Sequence, residues 1–344
     1  MKFKDDTFFK IIRSFLTTYL PKQKCYSFNT IKSYKETLNL LIDYLQDEKQ
    51  IPITQISFEY LDNITICSYL DWLQETRGCS ISTRNQRLMV LRSFFKYAGM
   101  VDSSYIILQS EVSKVPVKKC TSTIVEYMSE KALQALLQQP LNSKYGIRDR
   151  FFMILMYDTA ARCGEMLNLK VKDIQVQPKS SIVQLTGKGS KTRLVPIMDK
   201  TVEHFRYYLD KFHPIEIRKN DDYLFYTIIH GIKNQMSPDN VASFMNRYGK
   251  LAKQSCDEVP NKVHPHQLRH TRAIHLYRGG MPLPLLSEFL GHSDVNTTRI
   301  YAYADTEMKR LAIQKITMKN DTLPLEQPVW ENNDNLIRKL YGLR

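Results

Sequence analysis

The sequence has no apolar run long enough to cross a bilayer: its longest, FFMILMY from Phe151 to Tyr157, falls far short of the roughly 20 residues a spanning helix needs. The opening MKFKDDTFFK places acidic residues where a secretory signal would carry an apolar core. Cysteine pairs are missing too. Cys25, Cys67, Cys79, Cys120, Cys163 and Cys256 are scattered without a CxxC spacing, which argues against a zinc knuckle or a disulfide framework and leaves six reduced thiols. Internal repeats and low-complexity tracts are also lacking. These absences lead to the expectation of a folded cytoplasmic protein.

What is present is charge of one sign. Lys and Arg number 49 against 35 Asp and Glu, a formal charge of +14 with pI near 9.3. Such an excess suits a polyanionic partner, because neutralising phosphates releases condensed counterions; solubility alone would also account for it. The 344 residues, 43% of them apolar, suffice for two domains with real cores.

Helical spacing dominates the first hundred residues. Phe8, Ile11, Ile12, Phe15 and Tyr19 share one helix face, and Ile31, Tyr34, Leu38, Leu41 and Leu45 share another, with Asn29 and Thr30 as cap candidates. ICSYLDWLQET and STRNQRLMVLRSFFKYAG supply a third and a fourth helix. The fourth carries Arg84, Arg87 and Arg92, so Ser82, Thr83, Arg84 and Arg87 are candidates for a DNA-facing surface or, equally, a solvated face. The stretch DSSYIILQSEVSKVPVKKCTS is weakly patterned and reads as a linker with a basic strip ending in Lys118 and Lys119. Beyond it come a helix capped by Ser129, a helix through RDRFFMILMYDTA, and three strands, LKVKDIQVQ, SIVQLTG and TRLVPIM. Helices then resume, one of them capped by Ser237 with Pro238 in its first position.

Four motifs carry the chemistry. TAARCGEML holds Arg162 and Glu165; LTGKGSKTRLVPI holds Lys188 in a hairpin turn; HPHQLRHT holds His266, Arg269 and His270; LGHSDVNTTRIY holds His292 and, nine residues on, Tyr301. Four histidines within a dozen positions raise the question of a metal. His266 and His270 have the i, i+4 spacing of a zinc helix, but the Glu of HExxH and an obvious third ligand are missing, so no metal is expected.

In order and spacing these motifs resemble the tyrosine recombinase family, which includes phage integrases and Xer-type recombinases. The resemblance extends to about residue 318. It implies a mainly helical fold with a small antiparallel sheet: a four-helix, SAM-like core-binding domain (residues 1–105), a basic linker (106–122), a mixed α/β catalytic domain (123–318) and a C-terminal tail (319–344), closing on DNA as a C-shaped clamp. It also implies cleavage through a 3′-phosphotyrosyl link without metal, nucleotide or other cofactor.

The physical requirements match. Such a reaction needs a nucleophile that conserves the bond energy, cations for the phosphorane charge and an acid for the leaving 5′ oxygen. The resemblance makes Tyr301 the nucleophile, with Tyr303 as its competitor and the spacing from His292 favouring Tyr301. Arg162 and Arg269 offer planar forks to phosphate oxygens, although either alone could be a surface ion pair. Lys188 is the implied general acid, a part Lys191 or Arg193 could also take; these last two are otherwise DNA-binding candidates. His266 and His292 would donate to phosphate and handle protons. Glu165 would orient an arginine or histidine, His270 would support the site from behind, and His264 and His275 would be structural. Cys163, beside Arg162, is expected to make the enzyme thiol-sensitive.

The partners expected are double-stranded DNA with inverted-repeat core sites and, in the synaptic complex, a homotetramer, with no membrane. With about thirty residues before the second helix, no arm-binding domain is expected. Integration or excision of a mobile element is favoured over chromosome or plasmid dimer resolution. A type IB topoisomerase, a DNA-binding factor that no longer cuts and a zinc enzyme are the alternatives. The apolar set Trp330, Leu336, Leu340 and Tyr341 would let the tail dock on a neighbouring protomer or fold back on its own domain.

Overall fold

A computed structural model describes residues 5–120, 125–187, 189, 191–292, 294–304, 310, 313 and 333–343. The chain divides into two compact units, residues 1–123 and 124–344. Among the described residues no helix is long and apolar enough to cross a membrane.

Among its described residues the first unit is built from helices. Helix α1 (Thr7–Ser14) runs into a π-helical turn over Phe15–Gln23, followed by α2 (Phe28–Asp47), α3 (Asn63–Glu75), α4 (Ile81–Val101) and α5 (Ile106–Lys114). Local caps fix where the helices begin. Ser27, Asp62 and Ser80 accept from the backbone N–H three residues on, each satisfying a donor with no partner in its own helix. The cap of α2 is therefore Ser27, not Asn29 or Thr30. The core is aromatic: Phe8 meets Phe58 edge-on at 5.1 Å between ring centroids, Phe15 meets Phe94 at 5.4 Å, and Tyr19 lies 4.5 Å from Tyr97. Pairs in these geometries add about 0.5–1.5 kcal/mol each beyond area burial.

Helix α5 is a correction to the linker reading. Val112 and Val115 are buried against α4, and α4 holds the segment that follows through its arginines. Arg92 donates to the carbonyls of Ser113 (3.0 Å) and Val115 (2.5 Å), and Arg84 to that of Pro116 (2.9 Å). Asn85 exchanges a pair of bonds with the backbone of Lys118, at 2.7 and 3.1 Å. Packing against α4, rather than periodicity of its own, makes this segment helical.

The second unit surrounds α7 (Lys144–Thr159), which is buried on nearly every side and so shows almost no amphipathic pattern. Helix α6 (Glu130–Gln138), α8 (Cys163–Asn168), α9 (Asp199–Phe212), α10 (Pro238–Ser255), α11 (Pro265–Arg278) and α12 (Leu283–Leu290) pack about it, with α13 (Arg299–Ala304) and α14 (Asp334–Leu340) beyond. Ser129 and Ser237 cap α6 and α10 as their positions predict, and Pro238 takes the first position of α10. A three-stranded antiparallel sheet, β1 (Ile174–Gln175), β2 (Ile182–Thr186) and β3 (Thr192–Pro196), is paired in that order. The expected first strand is short because Val171–Asp173 forms a 3-10 turn.

A second hairpin, β4 (Tyr226–Ile229) and β5 (Ile232–Gln235), was not expected. It turns on His230 and Gly231, at φ 49° and 76°, the left-handed pair a two-residue hairpin turn requires. Asp158, near the end of α7, joins three helices: it accepts from Met198 N–H and the Thr201 hydroxyl at the start of α9, both at 2.8 Å, and from Arg272 of α11 at 3.1 Å. That junction sets α11 against the end of α7, where the motif residues converge.

Candidate active site

Helix α7 ends on Ala160, whose φ of 48° lies in the left-handed region. The reversal presents the Ala160 carbonyl to α11, where Arg269 donates to it at 2.6 Å. Arg269 also donates to the carbonyl of Leu290 at 2.8 Å and contacts His292 Nε2 at 3.0 Å. The guanidinium is only 3% exposed, and burial, with Arg162 nearby, lowers its pKa to about 10.

The bond from Arg269 fixes the tautomer of His292. Arginine can only donate, so Nε2 must accept and the ring proton sits on Nδ1, which faces the Thr298 hydroxyl at 2.9 Å. Burial and then the charges of Arg269, Arg162 and Arg193 hold His292 at about 4, neutral at physiological pH. His292 is placed by the end of α12. Gly291 N–H bonds to Glu288 O and His292 N–H to Ser287 O, a Schellman-type close with Gly291 at φ 65°. A Cβ on Gly291 would sit 2.9 Å from Arg193 Nη1, so both backbone and packing require glycine there.

Glu165 sits beneath the arginines with a side chain 4% exposed. It accepts from Arg162 N–H (2.8 Å) and Arg162 Nη1 (2.8 Å) and takes a two-pronged contact from Arg193 (3.0 and 2.8 Å). Burial would raise its pKa, but the bonds from Arg193 and Arg162 outweigh that and hold it at about 2. Arg162, with 38% of its side chain exposed, keeps a solvent-facing edge and also reaches Gly291 O at 3.3 Å. Arg162, Lys191, Thr192, Arg193, His292 and Thr297 are among the residues lining a cleft of about 630 Å³.

Tyr301, on α13, is 1% exposed and packs with Ala160, Ala273, Ile274, Leu286 and Leu290. Its hydroxyl lies 2.9 Å from His270 Nδ1, with the Arg269 charge nearby. Burial raises the phenol pKa, and Arg269 and then Arg162 pull against it. His266 is solvent-exposed on the preceding turn of α11, its ring centroid 6.3 Å from that of His270. Among the described residues no three His, Cys, Asp or Glu side chains converge as metal ligands.

The structure thus brings Arg162, Glu165, Arg269, His270, His292 and Tyr301 together, with His266 alongside. Lys188 lies outside the described residues, and so does the side chain of Tyr303. Several expectations need correction. Arg193 lines the cleft with its guanidinium bound to Glu165 and to Phe289 O at 3.1 Å, so its charge is already partnered. Arg84 is 3% exposed and spent on Pro116 O, and half-buried Arg87 donates to Thr37 of α2 at 3.0 Å. Thr83 belongs to the Ser80 cap. Lys118 reaches Asp71 and Gln74 of α3 at 3.1 and 2.6 Å. Ser82, Lys119 and Lys191 are exposed. Cys163 is not an activated thiol, since burial pushes it up to about 11. Sequence reading undervalued two positions: Thr298, a fully buried residue that orients His292, and Gly291, whose signal was its place directly after an apolar run.

Comparison with known proteins gives the family. Residues 126–323 match the phage integrase family, and residues 12–99 match the phage integrase N-terminal SAM-like domain. The chain belongs to the phage integrase family and is a tyrosine site-specific recombinase. It is 29% identical to the protein named "Putative integrase/recombinase y4rC" of Sinorhizobium fredii, over 97% of each chain. It is 31% identical to tyrosine recombinase XerA of Pyrococcus horikoshii, over 69% of this chain and 75% of that one. Among solved structures, the XerH site-specific recombinase in a post-cleavage complex with palindromic difH substrate superposes with a TM-score of 0.64 at 20% identity, covering 91% and 90% of the two chains. The Tn1549 transposon integrase with transposon right end DNA gives 0.65 at 17% identity, covering 88% and 98%. These last two likenesses concern the fold.

Proposed function

We propose that this enzyme integrates and excises a mobile element by cutting and rejoining DNA at inverted-repeat core sites, as a homotetramer passing through a Holliday junction. The observation that carries the chemistry is the convergence of the Tyr301 hydroxyl, Arg269 and His292 beside the cleft that Arg162 lines. Tyr301 attacks phosphorus and leaves a 3′-phosphotyrosyl link with a free 5′-hydroxyl. Arg162 and Arg269 stabilise the phosphorane charge, which requires Arg269 to turn some of its donors from main-chain carbonyls to phosphate. His292 and His266 serve the phosphate oxygens, and Lys188 protonates the leaving 5′ oxygen. Exposed Lys119, Lys191 and Ser82 contact the DNA backbone, and the enzyme works at the nucleoid in the cytoplasm.

The likeness to an integrase/recombinase along 97% of both chains supports the mobile-element role. Dimer resolution is the second reading, favoured by relatives such as tyrosine recombinase XerD of Staphylococcus epidermidis, 29% identical over 87% of this chain. The test uses nicked duplexes from the flanks of the enzyme's own gene, with EDTA present and a denaturing gel. A covalent adduct lost in Tyr301→Phe and kept in Tyr303→Phe supports the chemistry. A plasmid carrying both flanks then separates the roles: release of a circle joining the flanks supports excision, whereas activity confined to plasmid or chromosome dimers supports resolution.

A further inference from the structure

The proton on Tyr301 has to go somewhere when the oxygen attacks. Among the described residues the side chain in hydrogen-bond contact with the hydroxyl is His270, whose Nδ1 lies 2.9 Å away. Arg269, whose charge lies close by, has no acceptor lone pair and cannot take the proton, which leaves the imidazole as the acceptor within reach. Accepting on Nδ1 places the ring proton of His270 on Nε2. With Tyr301 1% exposed, bulk water has no ready path to the same oxygen.

We infer that His270 is the catalytic base of the cleavage step, taking the Tyr301 proton on Nδ1 and returning it when the strand is resealed. The inference rests on the recombinase chemistry proposed above. In cleavage, the O–H bond breaks as the proton passes to Nδ1, and the tyrosine oxygen forms a bond to phosphorus. The P–O5′ bond breaks with its electron pair staying on the 5′ oxygen, which takes a proton from a separate acid, the part assigned to Lys188. In resealing, the 5′-hydroxyl gives a proton to that acid's conjugate base and attacks phosphorus. The P–O bond to tyrosine breaks, and that oxygen recovers its proton from the His270 imidazolium. Burial, with His266 and Arg269 nearby, keeps the His270 ring uncharged at neutral pH, at about 4, so its lone pair is available. His266, one turn earlier and exposed, carries a second imidazole toward solvent.

The role differs from support behind the site, because His270 touches the reacting oxygen itself. The test compares single-turnover adduct formation on the nicked duplexes that the wild-type enzyme cleaves. His270→Asn keeps a hydrogen-bond acceptor near the Nδ1 position but cannot take the proton, and is expected to lose about 10²–10⁴-fold in rate while binding the duplex normally. Replacing Tyr301 by 3,5-difluorotyrosine, a more acidic phenol, is expected to shrink that loss at least tenfold, and added imidazole is expected to restore rate to His270→Ala. An equal loss with both phenols and no rescue by imidazole would overturn the assignment and leave His270 a positioning residue. A His270→Asn enzyme as fast as wild type would also overturn it, while leaving the recombinase reading intact. A wild-type enzyme that forms no Tyr301-dependent adduct refutes the recombinase reading, and this inference with it.

Discussion

Replacing Glu165 by Gln probes the electrostatic floor of the site. The carboxylate side chain is 4% exposed and balances Arg193, itself 14% exposed, and Arg162, 38% exposed. Gln keeps the shape but turns an amide NH2 toward a guanidinium and leaves Arg193 buried without its counter-charge. Removing one partner of a buried pair costs about 3–5 kcal/mol, whereas the half-solvated contact to Arg162 contributes about 1 kcal/mol or less. The lower end, about 3 kcal/mol, is therefore expected. For a unit of this size that corresponds to a melting midpoint about 6–12 °C lower, read by calorimetry or circular dichroism at pH 7. The pH dependence supplies a check of sign. Glu165 is held at about 2 in the folded state against an ordinary 4.5, so the unfolded chain binds more protons in that window. Its contribution is full above pH 4.5 and disappears as pH falls toward 2. The gap between wild type and Glu165→Gln should accordingly narrow as the solution is acidified below 4.5. A midpoint within about 2 °C of wild type at pH 7, or a gap that widens with acid, would refute the reasoning.

Other outcomes follow from the same geometry. Gly291→Ala forces a side chain into left-handed backbone, costing about 1–2 kcal/mol, and pushes on Arg193; lower stability together with slower DNA cleavage is expected. Arg84→Ala should lower the melting midpoint of the first unit without changing the slope of log K against log[salt] in DNA binding, because the guanidinium is bound to Pro116 O. Lys119→Ala should do the reverse, reducing that slope by about 1. His270 and His292 are both held at about 4 against an ordinary 6.5. Stability attributable to them is full above pH 6.5 and falls as pH drops from 6.5 to 4, so a double His270→Asn, His292→Asn variant should show a flatter melting-midpoint profile across that window.

The site was legible where its members lie close in sequence. Arg162 and Glu165 are one helical turn apart, and His266, Arg269 and His270 share α11, so spacing alone places them on common faces. Contacts between distant segments were not legible. His270 and Tyr301 are 31 residues apart, and only the packing of α13 on α11 joins them. The arginines show the limit most clearly. Arg84 and Arg193 look like cations offered to phosphate, yet one serves a carbonyl and the other a buried carboxylate, and sequence does not tell a solvated guanidinium from a structural one. Helix α5 was missed because its helicity comes from Val112, Val115 and the α4 arginines. The β4–β5 hairpin was missed because His230 occupies a left-handed position more often filled by glycine or asparagine.

Tyr301 lies in the first turn of α13. The first turn of a helix lacks intrahelical partners for its N–H groups, so the orientation of Tyr301 leans on the side chains packed around it and on the hydroxyl–imidazole contact. Local opening of this turn should cost far less than opening α7 or α11, and the amide of Tyr301 should exchange with deuterated solvent well ahead of theirs. The residue proposed to attack DNA therefore sits at a helix start, where loosening of the packing around it would free the side chain without unfolding the unit.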